Sequence, residues 1–138
     1  MNKFIGAWQL QSWVAKRGYE VIYPFGEHPT GHISYAANNT MIVAIMHDVK
    51  NIHDFFITEN PLEATDLECI LGFRSYLSYW GTFSVDEDAK IVIHKIEGCL
   101  HQNWIGTEQK RSFEFKDDLL LLSTELNQFM HTLTWRRI

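Results

Sequence analysis

Excess positive charge is missing from this sequence. Twelve Lys and Arg stand against 17 Asp and Glu, giving a formal net charge of −5 over 138 residues. A nucleic-acid surface needs a basic patch. Of the three adjacent basic pairs, Lys110-Arg111 and Arg136-Arg137 fall inside expected strands and Lys16-Arg17 lies at the end of one. No nucleic-acid partner is therefore expected. Long apolar runs are missing too, so nothing approaches the roughly 20 residues of a membrane-spanning helix, and no membrane insertion is expected. The opening MNKFIGAWQL carries one lysine and no long apolar stretch before a cleavage site, so no signal peptide is read there. Cysteine is limited to Cys69 and Cys99, far apart, which read as free thiols in a reducing compartment. A cytoplasmic location is the expectation. Motifs for chemistry are also lacking. There is no Gly-x-Ser-x-Gly, no phosphate-binding glycine loop and no dinucleotide fingerprint. His28-x3-His32 and Cys99-x-His101 each pair two ligand types, but no four-ligand set with zinc spacing follows, so neither a metal nor a cofactor is expected.

Aromatic residues are abundant. They make up 14% of the chain and include five Trp, which favours a β-rich core or a lined cavity. The length suits one domain over residues 1–138. Alternation predicts strands at Phe4–Lys16, Tyr19–Tyr23, His32–Ala36 and Thr40–Met46. In the first, Trp8, Leu10, Ser12 and Val14 share a face, and Trp13 falls on the other, at a bend or a half-covered exterior. Asn38-Asn39 predicts a tight hairpin, because Asn tolerates the left-handed conformation. Thr40–Met46 is apolar on both faces and needs an outer cover.

A helix is predicted to provide that cover, near residues 66–77. Thr65-x-x-Glu68 is a capping box, and Ile70, Phe73, Leu77 and Trp80 follow at helical spacing. The long connection from Lys50 to Glu63, with Phe55-Phe56, is a candidate lid. Five further strands follow at Tyr79–Val85, Ile91–Leu100, Thr107–Phe115, Leu119–Thr124 and Met130–Ile138. The sum is a mainly β protein, an up-and-down antiparallel barrel of about 8–10 strands with one inserted helix. A flat sandwich is the alternative. Barrels of this size can hold one small ligand.

The pair Ile91–Leu100 and Thr107–Phe115 carries polar residues on the inward face. By parity, His94 lies with Val92 and Ile96, and Gln109 and Arg111 lie with Phe113 and Phe115. Inward polar groups are costly unless they pair with each other or with a ligand. Arg offers a two-pronged donor, and Gln a donor and an acceptor. The three form either a buried network that sets strand register or an anchor for a carboxylate, carbonyl or hydroxyl. Tyr35, Tyr79, Trp104 and Phe113 are candidate cavity walls, and Tyr76, Phe83 and Met46 are further ones. A buried phenol needs a partner, which favours the two tyrosines named first.

Several stretches resemble one family in order along the chain. Ile5-Gly6-Ala7-Trp8-Gln9-Leu10 with Ser12-Trp13 is similar to the opening of the small bacterial and fungal lipocalin-like domain family. Tyr23-Pro24-Phe25-Gly26 with Pro29-x-Gly31 resembles its first loop. Tyr79-x-Gly81-Thr82-Phe83 resembles the strand after its helix. His94-x-x-Glu97-Gly98, then Asn103-Trp104-x-Gly106-Thr107-x-Gln109-x-Arg111-x-Phe113, resembles its longest shared motif, and Trp135-x-Arg137 its closing strand. Residues 48–63 show little likeness. The resemblance implies a lipocalin-type barrel with a central cavity, and a structural closure in which Arg137 packs across Trp8. Arg136 is the alternative on the neighbouring position. It implies no particular reaction.

These readings lead to a small-molecule binder for a mainly apolar or amphipathic ligand bearing a polar or acidic group, held by His94, Gln109 and Arg111. A second reading is a cofactor-free isomerase, cyclase or hydratase with His94 as base, since its ordinary pKa lies near neutrality. A third is a filled barrel serving structure or interaction. A homo-oligomer through an edge strand or the Trp13 face is compatible with all three.

Overall fold

The structure, a computed structural model, describes residues 2–48 and 53–138. Its strands are β1 (Gly6–Arg17), β2 (Glu20–Ile22), β3 (Thr30–Tyr35), β4 (Thr40–Met46), β5 (Tyr76–Asp86), β6 (Ile91–Cys99), β7 (Glu108–Lys116), β8 (Leu119–Leu126) and β9 (Phe129–Arg137). One α-helix, α1 (Asp66–Arg74), lies between β4 and β5. From β3 to β9 each strand pairs antiparallel with the next. β1 pairs with β3 on one side and β9 on the other. That second pairing closes the sheet into an eight-stranded barrel and rules out the flat sandwich. Closure also removes open sheet edges. β2 extends only the far end of β1, opposite Ala15, Lys16 and Arg17.

The tight turns sit where a short polar side chain tolerates positive φ. Asn39 has φ 69°, Asp117 55° and Asn127 51°. One barrel end is sealed by Phe4 and Trp8, both buried. Phe4 stacks edge-on against Phe113 and Phe115, each at 4.9 Å. The Trp8 indole N–H donates to the Phe4 carbonyl at 3.0 Å. Arg137 lies 4.1 Å above the Trp8 ring, donates to the Ile5 carbonyl at 2.9 Å and also reaches the Lys3 carbonyl. Arg136 instead faces Asp118 at 3.4 Å. Gly6 belongs to this arrangement: its φ is +132°, and a Cβ there would meet Arg137 Nη1 at 2.8 Å.

Two strand irregularities set which side chains face inward. In β1 the register shifts between Leu10 and Ser12. Such a bulge adds one residue and reverses the side-chain alternation beyond it. Trp8 and Leu10 point inward before it; Trp13 and Ala15 do so after it, and Ala15 is fully buried. The expected exterior placement of Trp13 is therefore corrected, and Ser12 and Val14 line an outer groove with Thr132 and Thr134. The second shift lies between Trp80 and Gly81, facing β6. There the Trp80 ring lies on the outer face of Gly98, where a Cβ would come within 2.1 Å of it.

The helix ends at Arg74, short of the expected Leu77. The Ser75 N–H caps it by donating to the Leu71 carbonyl at 3.0 Å, and residues from Tyr76 onward join the sheet opposite β4. The apolar spacing of Ile70, Phe73, Leu77 and Trp80 thus spans two elements. Ile70 and Phe73 are half exposed, and so is Ile42 on the outer face of β4. The helix packs beside the start of β5 and leaves that outer face uncovered, contrary to the covering role expected for it. Its start follows the capping box: the Thr65 side chain accepts from the Glu68 N–H, and Glu68 accepts from the Thr65 N–H at 3.0 Å. The Glu68 carboxylate also gathers the Ile57 and Thr58 N–H groups and the Thr58 hydroxyl. These contacts hold its carboxyl at about 2, chiefly through the Thr58 hydroxyl.

Candidate functional site

A cavity of about 140 Å³ lies inside the barrel, beside the end that carries α1 and the β6–β7 connection. Its apolar wall includes Ile33, Val43 and Ile45 from β3 and β4, and Leu122 and Leu133 from β8 and β9. Leu126 lines it while half exposed, which marks its opening. Polar atoms enter from Tyr79, His94, Arg111, Thr124, His131 and the indoles of Trp13, Trp104 and Trp135.

His94 is the centre of a buried chain of hydrogen bonds. It is 1% exposed on β6, inward by strand parity. Tyr35 Oη lies 2.6 Å from its Nε2 and Tyr79 Oη 2.7 Å from its Nδ1. Both ring nitrogens are thus engaged by phenols from β3 and β5. Burial, and then the Arg111 charge, push the imidazole down to about 3, so it is neutral near pH 7. Burial pushes the Tyr79 phenol up to about 12 and raises that of Tyr35 well above its usual range. A neutral imidazole with both nitrogens occupied and so little basicity is badly placed to take a proton from a ligand.

Arg111 projects from β7 beside this chain. Its Cζ lies 6.0 Å from the Trp104 ring, and its Nη1–H donates to the Lys110 carbonyl at 3.1 Å. Among the described residues no carboxylate comes within ion-pair distance of it. Trp104 stands at the end of a short 3₁₀ turn, Gln102–Trp104, and meets Tyr79 edge-on at 6.1 Å. It walls the cavity where the β6–β7 connection crosses the barrel end.

The expected residues divide by place. His94, Arg111, Tyr79 and Trp104 line the cavity together. Tyr35 stands behind His94, packed edge-on against Phe4 and Phe83 at 5.2 and 4.7 Å. Gln109 pairs with His94 across the strands but turns to the Thr107 hydroxyl at 2.9 Å and does not line the cavity. Phe113 lies below with Phe4 and Phe115. Among the other wall candidates, Met46 is half exposed, and Tyr76 and Phe83 do not line the cavity. Part of the expected lid, residues 50–52, lies outside the described residues; Phe55 and Phe56 are exposed and do not line the cavity.

Sequence reasoning missed Trp13, His131 and Trp135. The Trp13 indole N–H donates to His131 Nδ1 at 3.0 Å. The bulge in β1 concealed Trp13. His131, Leu133 and Trp135 alternate along β9, a period-two signal that extends inward from Arg137. Trp135 is 1% exposed, lines the cavity, and its indole N–H has no partner among the described residues.

A family model described as a lipocalin-like domain matches residues 5–138. The chain belongs to the lipocalin-like family. A relative from Aspergillus oryzae, the 4'-hydroxy-3'-methoxypropiophenone carrier protein ppsC, is 38% identical over 92 residues, covering 56% of this chain and 80% of that protein. The crystal structure of a mutant of the fluorescent protein UnaG aligns with this lipocalin-like chain at a TM-score of 0.43 and 14% identity, over 98% of this chain and 96% of that one. In the lipocalin-like chain, no helix among the described residues is long and apolar enough to cross a membrane.

Proposed function

We propose that this lipocalin-like barrel binds a small, mainly apolar molecule by a hydrogen-bond-accepting group, with Tyr79, His94 and Arg111 at the polar end of the cavity. The observation that carries this reading is the cavity itself: about 140 Å³, largely apolar, with a few polar groups converging on it. That volume is close to the roughly 150 Å³ of an engineered protein cavity that accepts benzene. The relative named as a carrier of an aryl ketone supports an aromatic ring with an attached oxygen as the ligand type. Two free thiols, Cys69 exposed and Cys99 buried, support a reducing compartment such as the cytoplasm.

The filled-barrel reading has less support, because the interior holds a cavity beside the mouth. The enzyme reading keeps a buried His94, yet both of its nitrogens are engaged by tyrosines. Isothermal titration with 4'-hydroxy-3'-methoxypropiophenone and with acetophenone tests the binding reading. The expected result is one site per chain, weakened by filling the cavity with Val43→Phe. Absence of heat with both compounds, together with no small molecule retained in native mass spectra of protein from its host, contradicts it.

A further inference from the structure

The protons on the cavity's polar groups can be assigned from their partners. Tyr35 is shut behind His94 by Phe4 and Phe83, and His94 Nε2 is the side-chain partner within reach of its hydroxyl. A buried O–H is satisfied by donating, so Tyr35 donates to Nε2. The neutral ring then carries its proton on Nδ1 and donates to Tyr79 Oη. Tyr79 accepts there, and its own O–H is released toward the cavity it lines. The same logic holds across the cavity. An indole N–H only donates, so His131 Nδ1 accepts from Trp13, and the neutral His131 ring carries its proton on Nε2. Trp135 adds a buried indole N–H without a partner among the described residues. Arg111 adds a positive charge with no carboxylate in reach among those residues.

The polar inventory of the cavity is therefore donors and one cation. The Thr124 hydroxyl, which can act either way, is the exception. We propose that the barrel takes its ligand as an anion, an aromatic acid in ionised form, with Arg111, the Tyr79 hydroxyl and the Trp135 indole N–H supplying charge and hydrogen bonds to it. The proposal rests on the binding reading above and deepens it. An anion gives up hydration on entering an apolar cavity, and this cost is met only where charge and donors replace the lost water. Here they stand ready, and among the described residues no carboxylate pairs with Arg111. The Arg111 field already acts on both histidines: after burial, it is the second cause that lowers each of His94 and His131.

Benzoate and benzamide provide the test, because they match in shape and differ in charge. Both are titrated by calorimetry at pH 7, beside acetophenone as a neutral ketone. Charge-assisted hydrogen bonds exceed neutral ones by enough to favour benzoate about tenfold. Arg111→Met is expected to remove that preference by weakening benzoate about tenfold more than benzamide, and Arg111→Lys to retain part of it. Equal binding of benzoate and benzamide by the natural protein overturns the proposal, without need of any variant. So does a preference that survives Arg111→Met. If acetophenone binds and benzoate does not, the anion proposal falls and the binding reading stands. If none of the three binds, the anion proposal falls, and the binding reading falls with it when 4'-hydroxy-3'-methoxypropiophenone also gives no heat and native mass spectra show no retained molecule.

Discussion

At the scale of single residues, Tyr35 in the Tyr35–His94–Tyr79 chain serves stability, and Tyr79 serves stability and binding together. Tyr35→Phe removes the donor to a buried imidazole nitrogen, and an unsatisfied buried acceptor costs about 1–3 kcal/mol. Urea denaturation is expected to show that loss with ligand affinity little changed. Tyr79→Phe removes a hydroxyl at the cavity, and acetophenone binding is expected to weaken about tenfold. His94 also sets a pH dependence. Its usual value of 6.5 falls to about 3 on folding. Between those values the unfolded chain holds the extra proton, so stability rises with pH in that window and is lost as pH falls through it. Burial lowers His131 as well, which adds in the same direction. Unfolding curves at pH 7.5 and pH 5 are expected to differ accordingly, and His94→Gln to flatten the difference. An unchanged slope in that variant would assign the dependence elsewhere. The inward placement of His94 was legible from plain alternation along β6. Its two tyrosine partners lie 59 and 15 residues away in sequence, and only the barrel brings them together.

At the scale of elements, legibility followed how local each signal is. The capping box at Thr65 and Glu68 and the Asn turn of the β3–β4 hairpin depend on a few adjacent residues, and both formed as read. The bulge in β1 depends on pairing with β9, more than 100 residues away, and no local pattern at Leu10–Ser12 announces it. That is why Trp13 was read to the wrong side. The helix end was misread because Leu77 continues the helical spacing while β4 recruits residues from Tyr76 into the sheet. Thr65→Ala removes the helix cap and is expected to destabilise α1 locally by about 1 kcal/mol. The measurable sign is faster proteolysis of residues 57–65, with the barrel's thermal midpoint nearly unchanged. At the β5–β6 bulge, Gly98→Ala places a methyl where the Trp80 ring lies. Displacement of that indole is expected as a red-shifted Trp emission and a stability loss on the order of 1–3 kcal/mol.

At the scale of the whole molecule, the sealed end and the cavity divide the barrel. Trp8, Phe4 and Arg137 close one end with aromatic stacking and carbonyl contacts. The other end places Leu126, Trp104 and His131 around an opening. The Trp13 indole points into the cavity, so the outer face of β1 presents Ser12 and Val14 instead. The antiparallel barrel was legible because nine alternating segments with short polar turns leave few other arrangements. The cavity's far wall was not, because β8 and β9 carry it with residues that read as ordinary core. The five indoles allow the central claim, that a ligand occupies this cavity, to be tested directly. Trp13, Trp104 and Trp135 line it; Trp8 lies in the sealed end and Trp80 on the outer surface. The measurement is the set of indole N–H resonances in protein labelled with nitrogen-15 tryptophan, recorded during titration with acetophenone. The account predicts saturable shifts of the Trp13, Trp104 and Trp135 signals, with those of Trp8 and Trp80 stationary. Stationary signals throughout, or a shift confined to Trp80, would contradict it.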